Sequence, residues 1–191
     1  MNKPVTEGVA RSRRKKLDLG IIGIFCAALG LTFDSKAKGA EVGQAAPKCT
    51  LTPLGSEQRD ERRYDLQQFQ GKVLYVDFWA SWCSPCARSF SFMNALDREL
   101  SGQGLHIVGI NLDEKLDDAK SFLIKHPASF AVAVDADGRC PKDFGVQAMP
   151  SSYLVDRHGI IRHAHLGFRR GEAETLRDLV VQLLAERPEG R

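Results

Sequence analysis

The sequence predicts an α/β domain, a mixed central β-sheet flanked by helices, preceded by an N-terminal extension. Two observations predict it. Short apolar runs rich in β-branched and aromatic residues alternate with segments whose apolar residues recur every three or four positions. Near the end, two extended runs are separated by a three-residue turn. That turn calls for an antiparallel hairpin beside strands otherwise joined by helical crossovers.

Each element has its own local reason. Residues 48–70 mix short extended pieces with the turn residues Pro53 and Gly55. Residues 72–79 (KVLYVDFW) form a compact apolar run, the pattern of a strand buried on both faces. Residues 85–100 read as a helix, with Phe90, Met93, Leu96 and Leu100 at helical spacing and Gly102 and Gly104 ending it. Residues 105–112 (LHIVGINL) are a second buried strand. Residues 116–125 are a second helix, expected to be opened by Asp113 and closed by His126 and Pro127. A short strand at 130–134 runs into the turn at 135–138, and a helical turn starts at Pro141. Strands at 152–156 and 160–166 flank the turn Arg157-His158-Gly159. A last amphipathic helix spans 172–185, with Leu176, Leu179, Val180, Leu183 and Leu184 on one face. Residues 187–191 form a tail.

The chain has 191 residues, 27 Lys and Arg against 24 Asp and Glu, and a formal net charge of +3. That length holds one medium domain and a short extension. A basic balance would suit an acidic partner such as nucleic acid, but the charge is confined to one end. Residues 1–37 carry seven basic and three acidic side chains, a net of +4. Residues 38–191 carry 20 and 21, a net of −1. Nucleic acid is therefore not an expected partner. The cluster at residues 11–16 (RSRRKK) precedes a thirteen-residue apolar run at 21–33 and small residues around 35–37. These are the parts of a secretory signal. The run is short for a spanning helix, which needs about 20 apolar residues. A cleaved signal peptide and a retained membrane anchor both remain open for 1–37, and both export the downstream domain with the basic cluster left inside. Residues 38–47 (KGAEVGQAAP) read as a linker, and 48–186 as the working domain. Cys26 lies within the apolar run after Phe25, which does not suit a lipidation site.

The chemistry concentrates at Cys83-Ser84-Pro85-Cys86. A thiol at the end of a strand and the start of a helix meets free N–H groups and the positive end of the helix dipole, which favour the thiolate. A second thiol one turn inside the helix can attack a mixed disulfide formed by the first. Pro85 suits the first helical turn. A zinc site is the rival reading, but there is no second such pair, and of the histidines only His163 and His165 are close together. A plain structural disulfide between Cys83 and Cys86 is the other rival.

Residues 77–86 (DFWASWCSPC) resemble the thioredoxin superfamily. The wider pattern, from about residue 47 to residue 184, resembles its exported TlpA-like thiol–disulfide reductases. It includes GKVLYVDFWASWCSPC, HIVGINLDEKLDDAKSFLIKHP and VDADGRCPKDFGVQAMPSSYLVDRHGII. The resemblance implies a thioredoxin-like fold, a redox-active Cys83–Cys86 pair and no cofactor or metal. It implies Cys83 as the exposed nucleophile, Cys86 as the buried resolving cysteine, and Trp82 flanking the site. Pro150 falls where the family keeps a cis-proline facing the dithiol, with Met149 before it helping to set substrate choice. Asp77 matches the family's buried acid, which desolvation makes a proton acceptor for Cys86. A hydrogen-bonded strand-end carboxylate is the plainer alternative for Asp77.

The pattern departs from TlpA-like relatives at Ser89 and Ser91, where a Glu and a Pro are common, and at Ser151-Ser152, where relatives serving cytochrome c maturation carry Glu-Thr. Cys49 and Cys140 remain. Leftover exported cysteines often pair, and some TlpA-like proteins carry a second, structural disulfide. A Cys49–Cys140 bridge and two unpaired cysteines are both open.

The resemblance implies reduction of disulfides in exported, periplasmic proteins, with electrons from a membrane thiol donor of the DsbD or CcdA kind. Service to cytochrome c or copper-site maturation, a disulfide-forming oxidant, and a non-enzymatic docking module are the alternatives. A docking module needs neither both cysteines nor Asp77. A peroxidase of the same fold would want Thr where Ala80 stands, and a Sco-type copper protein would want a wider cysteine spacing.

Overall fold

The structure is a computed structural model that describes residues 39–54, 63–135 and 137–186. The expected leader at 1–37 and tail at 187–191 lie outside the described residues. The elements run β1 (Thr50–Pro53), β2 (Tyr64–Asp65), β3 (Val73–Trp79), α1 (Ser84–Leu100), β4 (Leu105–Asn111), α2 (Leu116–Lys125), β5 (Ala131–Val134), α3 (Cys140–Phe144), β6 (Ser151–Val155), β7 (Ile161–Leu166) and α4 (Glu172–Ala185). Among the described residues the sheet order is β2-β1-β5-β4-β3-β6-β7. β3 pairs parallel with β4, and β4 parallel with β5, through the crossover helices α1 and α2. β6 joins β3 antiparallel and β7 closes the hairpin. The expected mixed sheet is present, with strand ends moved by a residue or so.

β3 sits at the centre, and all seven of its residues are buried. Side chains alternate between the two faces of a strand. Val73, Tyr75 and Trp79 therefore enter one core with α1 (Phe90, Met93, Leu96, Leu100), α2 (Phe122) and α4 (Val180, Leu183). Leu74, Val76 and Phe78 enter the other core with Phe144, Tyr153, Cys49 and Cys140. The first core is built on rings. Trp79 lies 4.8 Å from Phe90 and 4.9 Å from Phe122, and Phe90 lies 5.2 Å from Phe130. Such ring pairs add to the area they bury. Gly109 makes room for them, since a Cβ there would sit 3.1 Å from the Phe130 ring.

One local expectation is corrected, and another gains detail. Residues 39–47, expected as part of a linker, are hydrogen-bonded to the rest of the domain. Gly43 N–H donates to Ile161 O, Ile161 N–H to Gln44 O and Ala46 N–H to Gly159 O, each at 2.8 Å, so the segment pairs with the start of β7 and the turn before it, at the open edge of the sheet. An edge strand's unpaired donors and acceptors favour such coverage. The segment then meets Gly145, which has φ +74; a Cβ on Gly39 would lie 2.2 Å from the Gly145 Cα, so only glycine allows the approach. Asp113 does not cap α2. Its N-cap is Lys115, which makes no side-chain capping bond, and the helix carries Asp117 and Asp118 in its first turn, where acidic residues suit the dipole.

Candidate active site

β3 ends at Trp79 and the chain turns at residues 80–83 into α1. Cys83 is the N-cap of α1, its φ and ψ extended, with no side-chain hydrogen bond capping the helix and Pro85 in the first turn. The Cys83 sulfur thus stands at the positive end of the helix dipole, where no polar side chain caps the helix; the Cys86 N–H is taken by the Cys83 carbonyl at 3.0 Å. Cys83 and Cys86 are disulfide-bonded, with Cα atoms 5.3 Å apart. Cys86 is fully buried, and Cys83 is only 5% exposed. Cys83, expected as the exposed nucleophile, is thus the more accessible residue of the pair but largely covered. Trp82, beside it, is 71% exposed.

The turn before Cys83 is held from a distance. Leu112 N–H donates to Trp79 O at 2.9 Å, extending the β3–β4 ladder. Beyond it the Asp113 carboxylate accepts from Ser81 N–H (2.9 Å), Ser81 Oγ (3.0 Å) and Asn111 Nδ2 (2.8 Å). Sequence reasoning missed this brace. It depends on the β3–β4 register, which places Asn111 beside Trp79 and which no local pattern announces.

On the other side of the site the Met149–Pro150 peptide is cis. Pro150 O accepts from Gly167 N–H at 2.7 Å and Ala148 O accepts from Ser151 Oγ at 2.6 Å. Met149 packs partly buried against the core that holds both cysteines. Arg88, in the second turn of α1, donates to Phe168 O at 3.4 Å and ties the helix to the chain after β7. Opposite, a groove of about 470 Å³ opens beside Cys83, lined by Ser81, Ser84, Asp118, Lys125 and His126 among others. A smaller cavity of about 180 Å³ lies at the far end of the sheet, near Leu74 and Val155, and holds none of this chemistry.

Asp77 lies in β3 on the face that carries Tyr75 and Trp79, the face covered by α1. It is fully buried. Its Oδ1 accepts a 2.6 Å hydrogen bond from Ser152 Oγ, and its Oδ2 has no partner. Burial pushes its pKa up to about 7, and the Ser152 hydrogen bond works against that rise. The neighbouring Tyr75 phenol is also buried, and burial and then the Asp77 charge push its pKa up. Gly109, across from Asp77 on β4, brings no side chain and hence no cation.

Cys49 and Cys140, both buried, are disulfide-bonded on the opposite face of the sheet, joining the chain just before β1 to the start of α3. Among the described residues no three His, Cys, Asp or Glu side chains are grouped to hold a metal ion. His165 bonds to Glu172 at 3.1 Å instead. No described helix is long and apolar enough to cross a membrane.

The arrangement offers a dithiol couple at a helix N-terminus, a buried carboxyl group on the sheet face that this helix covers, and a rim of exposed apolar and polar side chains. Known proteins share its pattern. The family profile described as Redoxin matches residues 41–180. The thiol-disulfide oxidoreductase ResA of Bacillus thuringiensis subsp. konkukian is 32% identical over 143 residues, covering 73% of this chain and 80% of that one. The thiol:disulfide interchange protein DsbE of Vibrio cholerae serotype O1 is 31% identical over 155 residues, covering 80% of each. A crystal structure from Chlorobium tepidum, described as a thiol:disulfide interchange protein DsbE, superposes with a TM-score of 0.71 at 37% identity, covering 77% of this chain and 100% of that one.

Proposed function

Since the chain belongs to the Redoxin family, as a TlpA-like thiol–disulfide oxidoreductase with a thioredoxin-like fold, we propose that it acts as an exported reductant of disulfides in other exported proteins. The observation that carries the reading is the Cys83–Cys86 couple at the start of α1, with Cys83 as an N-cap that leaves the helix N–H groups unclaimed by a polar side chain.

In the reduced protein the Cys83 thiolate attacks one sulfur of a client disulfide. The client S–S bond breaks, one client sulfur leaves as a thiolate, and a Cys83–client mixed disulfide forms. Cys86 then gives its proton to Asp77 and attacks the Cys83 sulfur. The second client sulfur leaves and is protonated, and the protein keeps the Cys83–Cys86 bond. Two electrons have passed to the client. Asp77 suits the proton step because a base with a pKa near the working pH is half-ready to accept and release. Trp82, Met149 and Pro150 would form the rim on which the client segment lies.

Export rests on the basic cluster and apolar run of residues 1–37, as a cleaved signal or a retained anchor. It places the domain in the periplasm, where a membrane thiol donor of the DsbD or CcdA kind would restore the dithiol. Turnover of insulin by the protein and by its Cys83→Ser variant tests the reaction: the variant is expected to be inactive, and equal rates sink the reading. The couple's potential tests direction. A value below about −200 mV is expected for a reductant, and one near −120 mV marks an oxidant.

A further inference from the structure

We propose that Ser152 is a positioning residue for the resolving step: its hydroxyl, donated to Oδ1 of Asp77, fixes the buried carboxylate and leaves Oδ2 as the one atom that receives the Cys86 proton. The inference rests on the reading of Asp77 as the base for Cys86.

The antiparallel register of β3 and β6 sets Ser152 directly opposite Asp77, on the same face of the sheet. Ser152 is 3% exposed and Asp77 not at all, so their 2.6 Å hydrogen bond is made away from water. A buried charge without a partner is costly, and here the partner is a neutral hydroxyl. Ser152 is the side-chain donor that the carboxylate has among the described residues. The opposite neighbour on β4 is Gly109, and no ion pair reaches Asp77 within the described set. The two oxygens are therefore unequal. Oδ1 is engaged, while Oδ2 is buried and unpartnered. A proton arriving on Oδ2 breaks no existing hydrogen bond, whereas one arriving on Oδ1 would force the Ser152 hydroxyl to turn away.

The step balances without any further reagent. The Cys86 S–H proton goes to Oδ2, and the Cys86 sulfur bonds to the Cys83 sulfur. The Cys83–client bond breaks, and the client thiolate takes a proton from Asp77 or from water. Because the hydroxyl bond favours the carboxylate over the acid, Ser152 also sets the pH at which Asp77 accepts.

Other titratable groups share this face and enter the test. They are Tyr75 on β3, Cys83 and Cys86 on α1, and His163 and His165 on β7; His163 lies opposite Leu154, and His165 lies in register with Ser152 and is held by Glu172 at the start of α4. β4 presents Gly109, and the side chains that α4 buries in this core, Val180 and Leu183, are apolar.

The test uses the full chain, reduced and mixed rapidly with a symmetrical aromatic disulfide whose thiolate is coloured. Two coloured thiolates are released per protein, the first by Cys83 and the second by Cys86. The pH dependence of the second phase is read in the wild type, in Ser152→Ala and Ser152→Thr, and in Asp77→Asn and His165→Asn. Ser152→Ala is expected to raise the midpoint by about one pH unit, the worth of a hydrogen bond to a charged group, and to leave the first phase unchanged. Ser152→Thr should restore it, and His165→Asn should keep the wild-type midpoint. If Ser152→Ala does not fold, Ser152→Val against Ser152→Thr makes the same comparison, hydroxyl against methyl. An unmoved midpoint in the hydroxyl-free variant, with the second phase slowed by Asp77→Asn, overturns the role of Ser152 and leaves Asp77 as the base. A second phase indifferent to Asp77→Asn at every pH overturns both.

Discussion

The Asp113 carboxylate grips Ser81, two residues before Cys83, through the Ser81 N–H at 2.9 Å and the Ser81 hydroxyl at 3.0 Å. Thirty-two positions of sequence separate the pair. A backbone N–H bonded to a charged oxygen is held more firmly than by a neutral acceptor, so the turn that presents Trp82 and Cys83 is set by a residue beyond the next strand. Asp113→Ala is expected to lower unfolding free energy by about 1–3 kcal/mol and to expose the Ser81 amide to hydrogen exchange. Turnover should fall several-fold as the turn loosens. Unchanged Ser81 protection in that variant would remove Asp113 from the presentation of the site.

Asp77 should make stability depend on pH. Its pKa is pushed up to about 7 in the folded protein from an ordinary 3.8. Between those values the folded state holds more protons than the unfolded state. Stability therefore falls as pH rises from about 4 to about 7, and Asp77 adds no further slope above that. The span corresponds to roughly 4 kcal/mol. Urea unfolding of the oxidised protein at a series of pH values, compared with Asp77→Asn, isolates this contribution. The difference between the two curves should grow through that window in favour of the variant. A constant difference would show that burial does not set the carboxylate's proton affinity.

The Cys49–Cys140 bond joins positions 91 apart and lies in the core opposite the active site. A closure of that length removes on the order of 4–5 kcal/mol of chain entropy from the unfolded state in the loop model, and measured losses are commonly about 2–5 kcal/mol. The double variant Cys49→Ser/Cys140→Ser should therefore melt many degrees lower. Its turnover, measured well below the melting temperature, should stay close to the wild type. A large loss of turnover in a folded double variant would give this bond a part in the reaction.

Gly39 and Gly145 pass so closely that one added methyl would meet the facing backbone. Gly39→Ala is expected to free the segment that runs along β7 and to speed proteolytic cleavage between residues 39 and 47. Active-site turnover should change little, because the segment covers the sheet edge farther along the order from β3. Equal cleavage rates would mean that the hydrogen bonds to Gly159 and Ile161 hold the segment without the glycine contact.

Much of this protein is local and was legible in its sequence. The compact apolar run at residues 73–79, the helical spacing of Phe90, Met93, Leu96 and Leu100, and the hairpin turn ending at Gly159 each depend on neighbours a few positions away. So does the placement of Cys83 at a strand-to-helix junction, which carries both the chemistry and the family pattern. Tertiary structure decided what depended on distant partners. Asp113 had the right chemistry to start a helix, yet Ser81 and Asn111 offer it three donors that a helix start does not. Residues 39–47 have a linker's composition, yet β7 supplies an open edge for them to pair with. The side chain that meets Asp77 was settled by a strand register spanning 75 positions. A carboxylate's type is written at its own position, but its proton affinity belongs to whatever the fold brings against it.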